Sequence, residues 1–538
     1  MPSSSTSSAL SSATSSTRCP PPSTAGSPKG MVTVENPADL TENSPGTVVR
    51  DARFRDPAWT SNRQLRALRD TYLTATRAAN RAVENLPASP NDVRTARFLL
   101  DLVTDALSPT NLLPTNPAAL RKAVRTRGRS LARGFTHLLT DLRHNGGLPS
   151  MVDRQAFTVG QDLATTPGRV VFRNHLMELI QYEPRTAAVH SVPLLCSPPW
   201  VNKFYFADLT PERSMVRWAI DHGHTVFMIS YRNPDASLRH VGYDEYLLES
   251  LVPALEVVRD ITDTDEVNLL GACLGGLIGL MLAAWLDDRS LPRLRSVTAC
   301  NALVDFSDIA EVARTGATGR LLWGPALWLL ETLTSARGFA SGSHLDAFFR
   351  LLRPEELIWS AMRDRWLMGE PPPTYDVLYW SHDSLNVPHR AQQYLLRDLC
   401  TENAFAAGTA ELAGRRLRLD RVTQDVFLVA GREDHLVPWA AAYRTVRLLP
   451  GDVRFHVASG GHIALAAPDS GASYWTGARD DLADASEWLA RATEHHDSWW
   501  PAWVDWLTER AGPPRTPPPL GSDRHPPMEP APGTYVLT

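Results

Sequence analysis

The spacing of hydrophobic and polar positions changes near residue 190, and that change divides the chain. Upstream, Leu65, Leu68, Tyr72, Ala75, Ala79 and Val83 recur at intervals of three and four, which places them on one face of a helix. A second helix starts at Ser89-Pro90, with Asp92 in its first turn, and is expected to bury Ala96, Leu99, Leu100, Val103 and Leu107. A third opens in the same way at Asn116-Pro117 and runs toward Leu142. No strand alternation interrupts them, so residues 49–185 are read as an α-helical domain that packs on a sheet without contributing to it. Downstream, short apolar runs at 192–196, 225–230, 267–270, 296–300, 425–430 and 453–457 alternate with helical stretches, as βαβ units require. The expectation is an α/β domain over 186–512 with a doubly wound, mostly parallel sheet. Its stretch 302–420 lacks a comparable strand but carries apolar and aromatic clusters such as Leu357-Ile358-Trp359, and is read as a cap inserted over the sheet.

Within that pattern, Gly271-Ala272-Cys273-Leu274-Gly275 directly follows the run ending at Leu270 and directly precedes the helical-looking 277–286. Strand, tight turn and helix in that order make a nucleophile elbow, with cysteine where most hydrolases of this kind carry serine. Taken alone, the uninterrupted apolar run 269–286 has the length of a membrane span. Glycines at 271, 275, 276 and 279 weaken its first half as a helix, and acidic Asp287-Asp288 follows it in place of a positive flank. A thiolate is both a strong nucleophile and a good leaving group. An enzyme that takes an acyl chain from one thioester and passes it on therefore gains by holding it as another.

Two later signals give the order nucleophile, acid, histidine that the α/β-hydrolase fold requires. The strand 425–430 is followed by Gly431-Arg432-Glu433-Asp434-His435, and the strand 453–457 by Ser459-Gly460-Gly461-His462. Catalytic groups of open parallel sheets sit at such strand ends. Asp434 and His462 are the acid and base candidates for Cys273, with Glu433 and His435 as adjacent competitors. For the oxyanion hole, one donor is the backbone N–H of Leu274. The other comes from Cys196-Ser197-Pro198-Pro199-Trp200-Val201-Asn202-Lys203, where the prolines leave Trp200 or Val201 as first donors, and Val201 is the one chosen. Lys203 is read either as a phosphate contact or, more simply, as a solvated lysine.

Composition adds boundaries. A formal net charge of -5 and a pI near 6.4 give no electrostatic case for nucleic acid. Five irregularly spaced cysteines fit neither a disulfide framework nor a zinc site, which favours a reducing cytoplasm. Residues 1–48 are rich in Ser, Thr and Pro and expected to be disordered, and 513–538 reads as an extended proline-rich tail. The cluster Trp499, Trp500, Trp503 and Trp506 is expected to be mostly core, with any exposed fraction suited to an apolar phase.

The chain resembles the polyhydroxyalkanoate synthases of the long, single-subunit type. The likeness runs from about Phe54 to Gly512, through Phe54-Arg55-Asp56-Pro57-Ala58-Trp59, Pro198-Pro199-Trp200-Val201-Asn202-Lys203, Ser230-Tyr231-Arg232-Asn233-Pro234-Asp235, the Cys273 elbow, Gly461-His462-Ile463 and Ser498-Trp499-Trp500-Pro501. The resemblance implies an acyltransferase that polymerises (R)-3-hydroxyacyl-CoA into polyester with release of CoA, with Cys273, Asp434 and His462 catalytic. It also implies a homodimer at the surface of polymer granules in the cytoplasm, no transmembrane segment, no cofactor and no metal, CoA thioester being the substrate. Gly271-Ala272-Cys273 looks more like synthases of medium-chain monomers. Competing readings are a thioesterase or depolymerase of the same fold, and an inactive granule-coat protein.

Overall fold

Among the described residues ten strands form one sheet, and the chain enters it earlier than the hydrophobic pattern suggests. The computed structural model describes residues 51–286, 291–314, 323–463, 471–479 and 484–538; the segment 1–48 lies outside them. The strands are β1 (Gly168–Arg173), β2 (Met177–Tyr182), β3 (Leu194–Ser197), β4 (Val226–Tyr231), β5 (Glu266–Ala272), β6 (Arg293–Cys300), β7 (Asp425–Gly431), β8 (Val453–Ala458), β9 (Tyr474–Thr476) and β10 (Thr493–His495). Their order across the sheet is β1-β2-β4-β3-β5-β6-β7-β8-β9-β10. The five pairs from β4 to β8 are parallel and the flanking pairs antiparallel. The six expected runs are all parallel strands of this centre. Because both faces of the sheet are covered, these strands are near-continuous apolar runs: Leu269 packs into one core cluster and its neighbour Leu270 into the other.

Strands β1 and β2 correct the reading of residues 49–185 as purely helical. They were hidden because all six residues of β2 are buried, including the polar Glu178 and Gln181, so no alternation is visible. These two side chains are buried because the C-terminal segment satisfies them. Glu178 accepts from the backbone N–H groups of Thr534 and Tyr535, the Thr534 hydroxyl and Arg173. Gln181 bonds Pro519 O and Gly521 N. The stretch 513–538 is thus extended, as its prolines require, but docked rather than free. Pro514–Arg515 pairs with Val189–His190, and the N–H of Met528 and O of Glu529 bond Val170 along the β1 edge.

The N-terminal helices are α1 (Arg63–Glu84), α2 (Pro90–Ala106), α3 (Pro117–Arg125) and α4 (Arg129–His144). The Ser89 and Asn116 side chains cap α2 and α3 as expected. Two expectations fail. The single third helix is two, because Arg127 and Gly128 take left-handed backbone angles, φ 52° and 81°. The apolar face of α2 is not buried: Leu99, Val103 and Leu107 are exposed. Helix α4 instead meets the cap. Its buried Asp141 accepts from Arg365 Nε at 2.7 Å, Trp366 Nε1 at 2.8 Å and Ser150 Oγ at 2.6 Å.

Helix α5 (Leu274–Trp285) is buried along its length between strands, so the apolar run 269–286 is the end of β5 and a core helix. Among the described residues no helix is long and apolar enough to cross a membrane. Helix α6 (Trp500–Thr508) buries Trp500, Trp503 and Trp506, with Trp499 just before it, so this aromatic cluster is core; Trp503 Nε1 donates to Thr298 Oγ1 of β6 at 3.0 Å. In the cap, the described residues are helical apart from loops and two-residue ladders.

Candidate active site

Strand β5 delivers Cys273 at the C-terminal edge of the sheet. Its backbone angles, φ 51° and ψ -120°, are strained for a residue with a side chain, at a cost of about 1–3 kcal/mol. The surroundings hold it there. Cys273 N–H donates to Cys300 O at 2.8 Å, and Leu277 N–H to Cys273 O at 3.0 Å. Glycine is required where the turn meets the next strand end: a Cβ on Gly275 would stand 2.0 Å from Ser197 O, and one on Gly271 2.5 Å from Gly275 O. The thiol therefore rides on a turn at the start of α5, where free backbone N–H groups favour negative charge.

His462 reaches the same edge from the loop after β8. Its Nδ1 donates to Asp434 Oδ2 at 2.6 Å. Asp434 Oδ1 accepts from Leu436 N–H at 2.8 Å and Val437 N–H at 2.9 Å, and the carboxylate is sealed from solvent. That leaves Nε2 for Cys273, which lines the same cavity as the ring. Burial alone would lower the imidazole pKa. The hydrogen bond to Asp434 and the charges of Asp434 and of nearby Cys273 outweigh it and push it up to about 10. Of the three adjacent candidates, Asp434 is the one that meets His462. Glu433 touches the histidine loop through its own N–H to Gly460 O, and His435, its pKa lowered by burial and by the charge of Arg353, is not hydrogen-bonded to His462.

Cys273, His462 and Asn301 line one cavity that is partly open to solvent. The rest of its wall is largely apolar, with Phe206, Met215, Met228, Leu270, Trp380 and Trp499. Cys196 and Cys300 also line it, but burial pushes both thiols well up, which keeps them neutral and unreactive.

The loop after β3 departs from expectation. Pro198 and Pro199 line the cavity, whereas Val201 is not among its lining residues. The Val201 carbonyl accepts from Leu385 N–H of the cap at 2.9 Å and its side chain packs against the main core. The Trp200 side chain is stacked on Tyr246 in that core, ring centroids 4.3 Å apart. Lys203 is neither solvated nor open to a phosphate. Its ammonium is buried 2.9 Å from Asp383, which also accepts from Tyr205 Oη at 2.7 Å. Trp380 Nε1 donates to Lys203 O at 2.6 Å. The loop is thereby stitched to the cap segment 380–385.

Sequence reasoning passed over Asn301. It stands directly after β6, 3% exposed, with φ 46°. The sequence carries no signal of this left-handed turn, which asparagine tolerates better than most residues.

Residues 50–219 match the family described as Poly-beta-hydroxybutyrate polymerase (PhaC) N-terminus, and residues 218–466 the alpha/beta hydrolase fold. Poly(3-hydroxyalkanoate) polymerase 2 of Ectopseudomonas oleovorans is 39% identical over 91% of this chain and 87% of its own. The poly(3-hydroxyalkanoate) polymerase subunit PhaC of Cupriavidus necator is 38% identical over 91% and 83%. The polymerase of Methylorubrum extorquens is 36% identical over 90% and 80%. With identities at this level along nearly the whole length of each partner, this chain belongs to the poly(3-hydroxyalkanoate) polymerase family.

Proposed function

We propose that this protein polymerises 3-hydroxyacyl-CoA thioesters into polyester, carrying the chain as a thioester on Cys273. The observation that carries the reading is a cysteine on a strained elbow that lines one largely apolar cavity together with a hydrogen-bonded His–Asp pair's imidazole, in a chain of the polymerase family. His462 Nε2 takes the Cys273 proton. The thiolate attacks the acyl carbonyl, and the Leu274 N–H at the start of α5 stabilises the oxyanion together with a donor after the prolines, of which Trp200 N–H is the first. The tetrahedral intermediate breaks its bond to the CoA sulfur, which leaves as the thiol with the proton from His462. A hydroxyl of a monomer or chain end then gives its proton to His462 and attacks the Cys273 thioester, forming the ester and freeing Cys273. Asp434 keeps the imidazole in the tautomer both transfers need. Every proton in this cycle moves between named side chains and substrate, so the reading calls for no cofactor.

The apolar cavity supports transfer over hydrolysis, since water reaching the acyl-enzyme would end the chain. Exposed apolar side chains support a homodimer and a granule surface in the cytoplasm as its working place: Val103, Leu107 and Phe135 on the N-terminal helices, Trp328 and Leu333 in the cap. The test is purified protein with 3-hydroxyacyl-CoA of four to ten carbons. Free CoA and a solvent-insoluble polyester are expected, with neither from Cys273→Ala. Soluble hydroxy acid as the product would replace the reading with a thioesterase.

A further inference from the structure

Two strand ends hold the reacting pair, and one residue ties them together. Strand β6 ends at Cys300, whose carbonyl accepts the N–H of Cys273 at 2.8 Å. The next residue, Asn301, turns into the left-handed region, its own N–H donating to Val429 O of β7 at 2.8 Å. This turn aims its side chain across the end of β7. Oδ1 accepts the Gly431 N–H at 2.9 Å, and Nδ2 donates to the backbone carbonyl of His462 at 2.6 Å. His462 needs such an anchor. It follows Gly460, at φ 93°, and Gly461, and the loop's own backbone bonds, Ser459 N–H to Ser473 O and Glu433 N–H to Gly460 O, stop two residues short of it. Asp434 fixes the ring from the far side, but a ring held at one nitrogen can still swing with its backbone. The Asn301 bond removes that freedom, and the Cys300 carbonyl places the nucleophile from the same two-residue segment.

We infer that Asn301 is a positioning residue for the acyl-transfer site: its amide clamps the His462 backbone to the end of β7, and so sets the imidazole against Cys273 from a strand end they share. The inference rests on the proposed Cys273–His462 chemistry. Displacement of a reacting group by about 1 Å can cost on the order of 100-fold in rate.

Two variants isolate the effect. Asn301→Asp keeps the acceptor for Gly431 and tolerates the left-handed backbone, but sets an oxygen against the His462 carbonyl. Asn301→Gly removes both bonds without backbone strain. For each, the measurements are kcat and KM with 3-hydroxyacyl-CoA, the pH profile of Cys273 alkylation by iodoacetamide, identified at the labelled peptide, and thermal unfolding. Asn301→Asp is expected to lower kcat about 10- to 100-fold, to leave KM within about twofold, and to displace the alkylation profile from wild type. Wild-type kcat and alkylation profile in both variants would overturn the inference. So would a loss of kcat that only follows a lowered Tm with an unchanged profile. Should the wild type release no CoA while Asn301→Asp still displaces the alkylation profile, the proposed function fails and the positioning role stands.

Discussion

Replacing Asp434 with asparagine changes one oxygen to an NH2 group, and the structure dictates which. Two backbone donors, Leu436 N–H at 2.8 Å and Val437 N–H at 2.9 Å, converge on Oδ1. An asparagine turned to put its NH2 there would leave both buried donors facing a third, at about 1–3 kcal/mol each. Its oxygen therefore takes the Oδ1 place and its NH2 faces His462 Nδ1. That nitrogen must then accept, the ring proton moves to Nε2, and Nε2 can no longer take the proton of Cys273. In the serine triad the same exchange costs about 10⁴ in kcat. A thiol needs less help to ionise, so the expectation here is a loss of about 10²- to 10³-fold, or about 2.7–4 kcal/mol of barrier. The assay is the single-turnover burst of CoA thiol after rapid mixing with 3-hydroxyacyl-CoA, with thermal unfolding alongside. A loss below tenfold in a protein of wild-type Tm would refute the argument, because the tautomer would then not matter.

Further outcomes follow from other contacts. His462 is held up to about 10 in the folded protein, above its ordinary value near 6.5. Its stabilising contribution is therefore complete below about pH 6.5, falls as pH rises toward 10, and is absent above; the gap in unfolding free energy between wild type and His462→Gln should narrow over that window in urea titrations. Lys203→Met leaves Asp383 without its ammonium partner and is expected to cost about 2 kcal/mol in urea unfolding, with Lys203→Met and Asp383→Leu together costing less than the sum of the two. Removing residues 528–538 takes the Thr534 and Tyr535 donors from buried Glu178. A destabilisation of about 3 kcal/mol or more is expected, partly recovered by Glu178→Met and read by differential scanning calorimetry.

The parallel centre of the sheet was legible because its strands are covered on both faces and read as plain apolar runs. Strand β2 was not, since Glu178 and Gln181 break the run, and what permits their burial lies some 340 residues or more away in sequence. A face of α2 rich in leucine looked like core but is solvent-facing: periodicity gives the face, not what covers it. The convergence of Cys273, Asp434 and His462 could be read because each ends a recognisable strand in a fixed chain order. Asn301 and Lys203 could not. Asn301 acts on backbone groups 130 and 161 residues distant, and Lys203 on a cap side chain 180 residues on; neither leaves a local trace.

The docking of the C-terminal strap against β1 and β2 also orders events during synthesis. Glu178 leaves the ribosome some 356 residues before the N–H groups that complete its hydrogen bonding. At about 5–20 residues per second that is an interval of roughly 20–70 s. Throughout it, the nascent sheet carries a carboxylate with no finished socket and an open edge beside it. Codons 528–538 therefore complete the first hairpin, and a ribosome that stalls shortly before them leaves a chain with its nucleophile already made but its sheet unsealed.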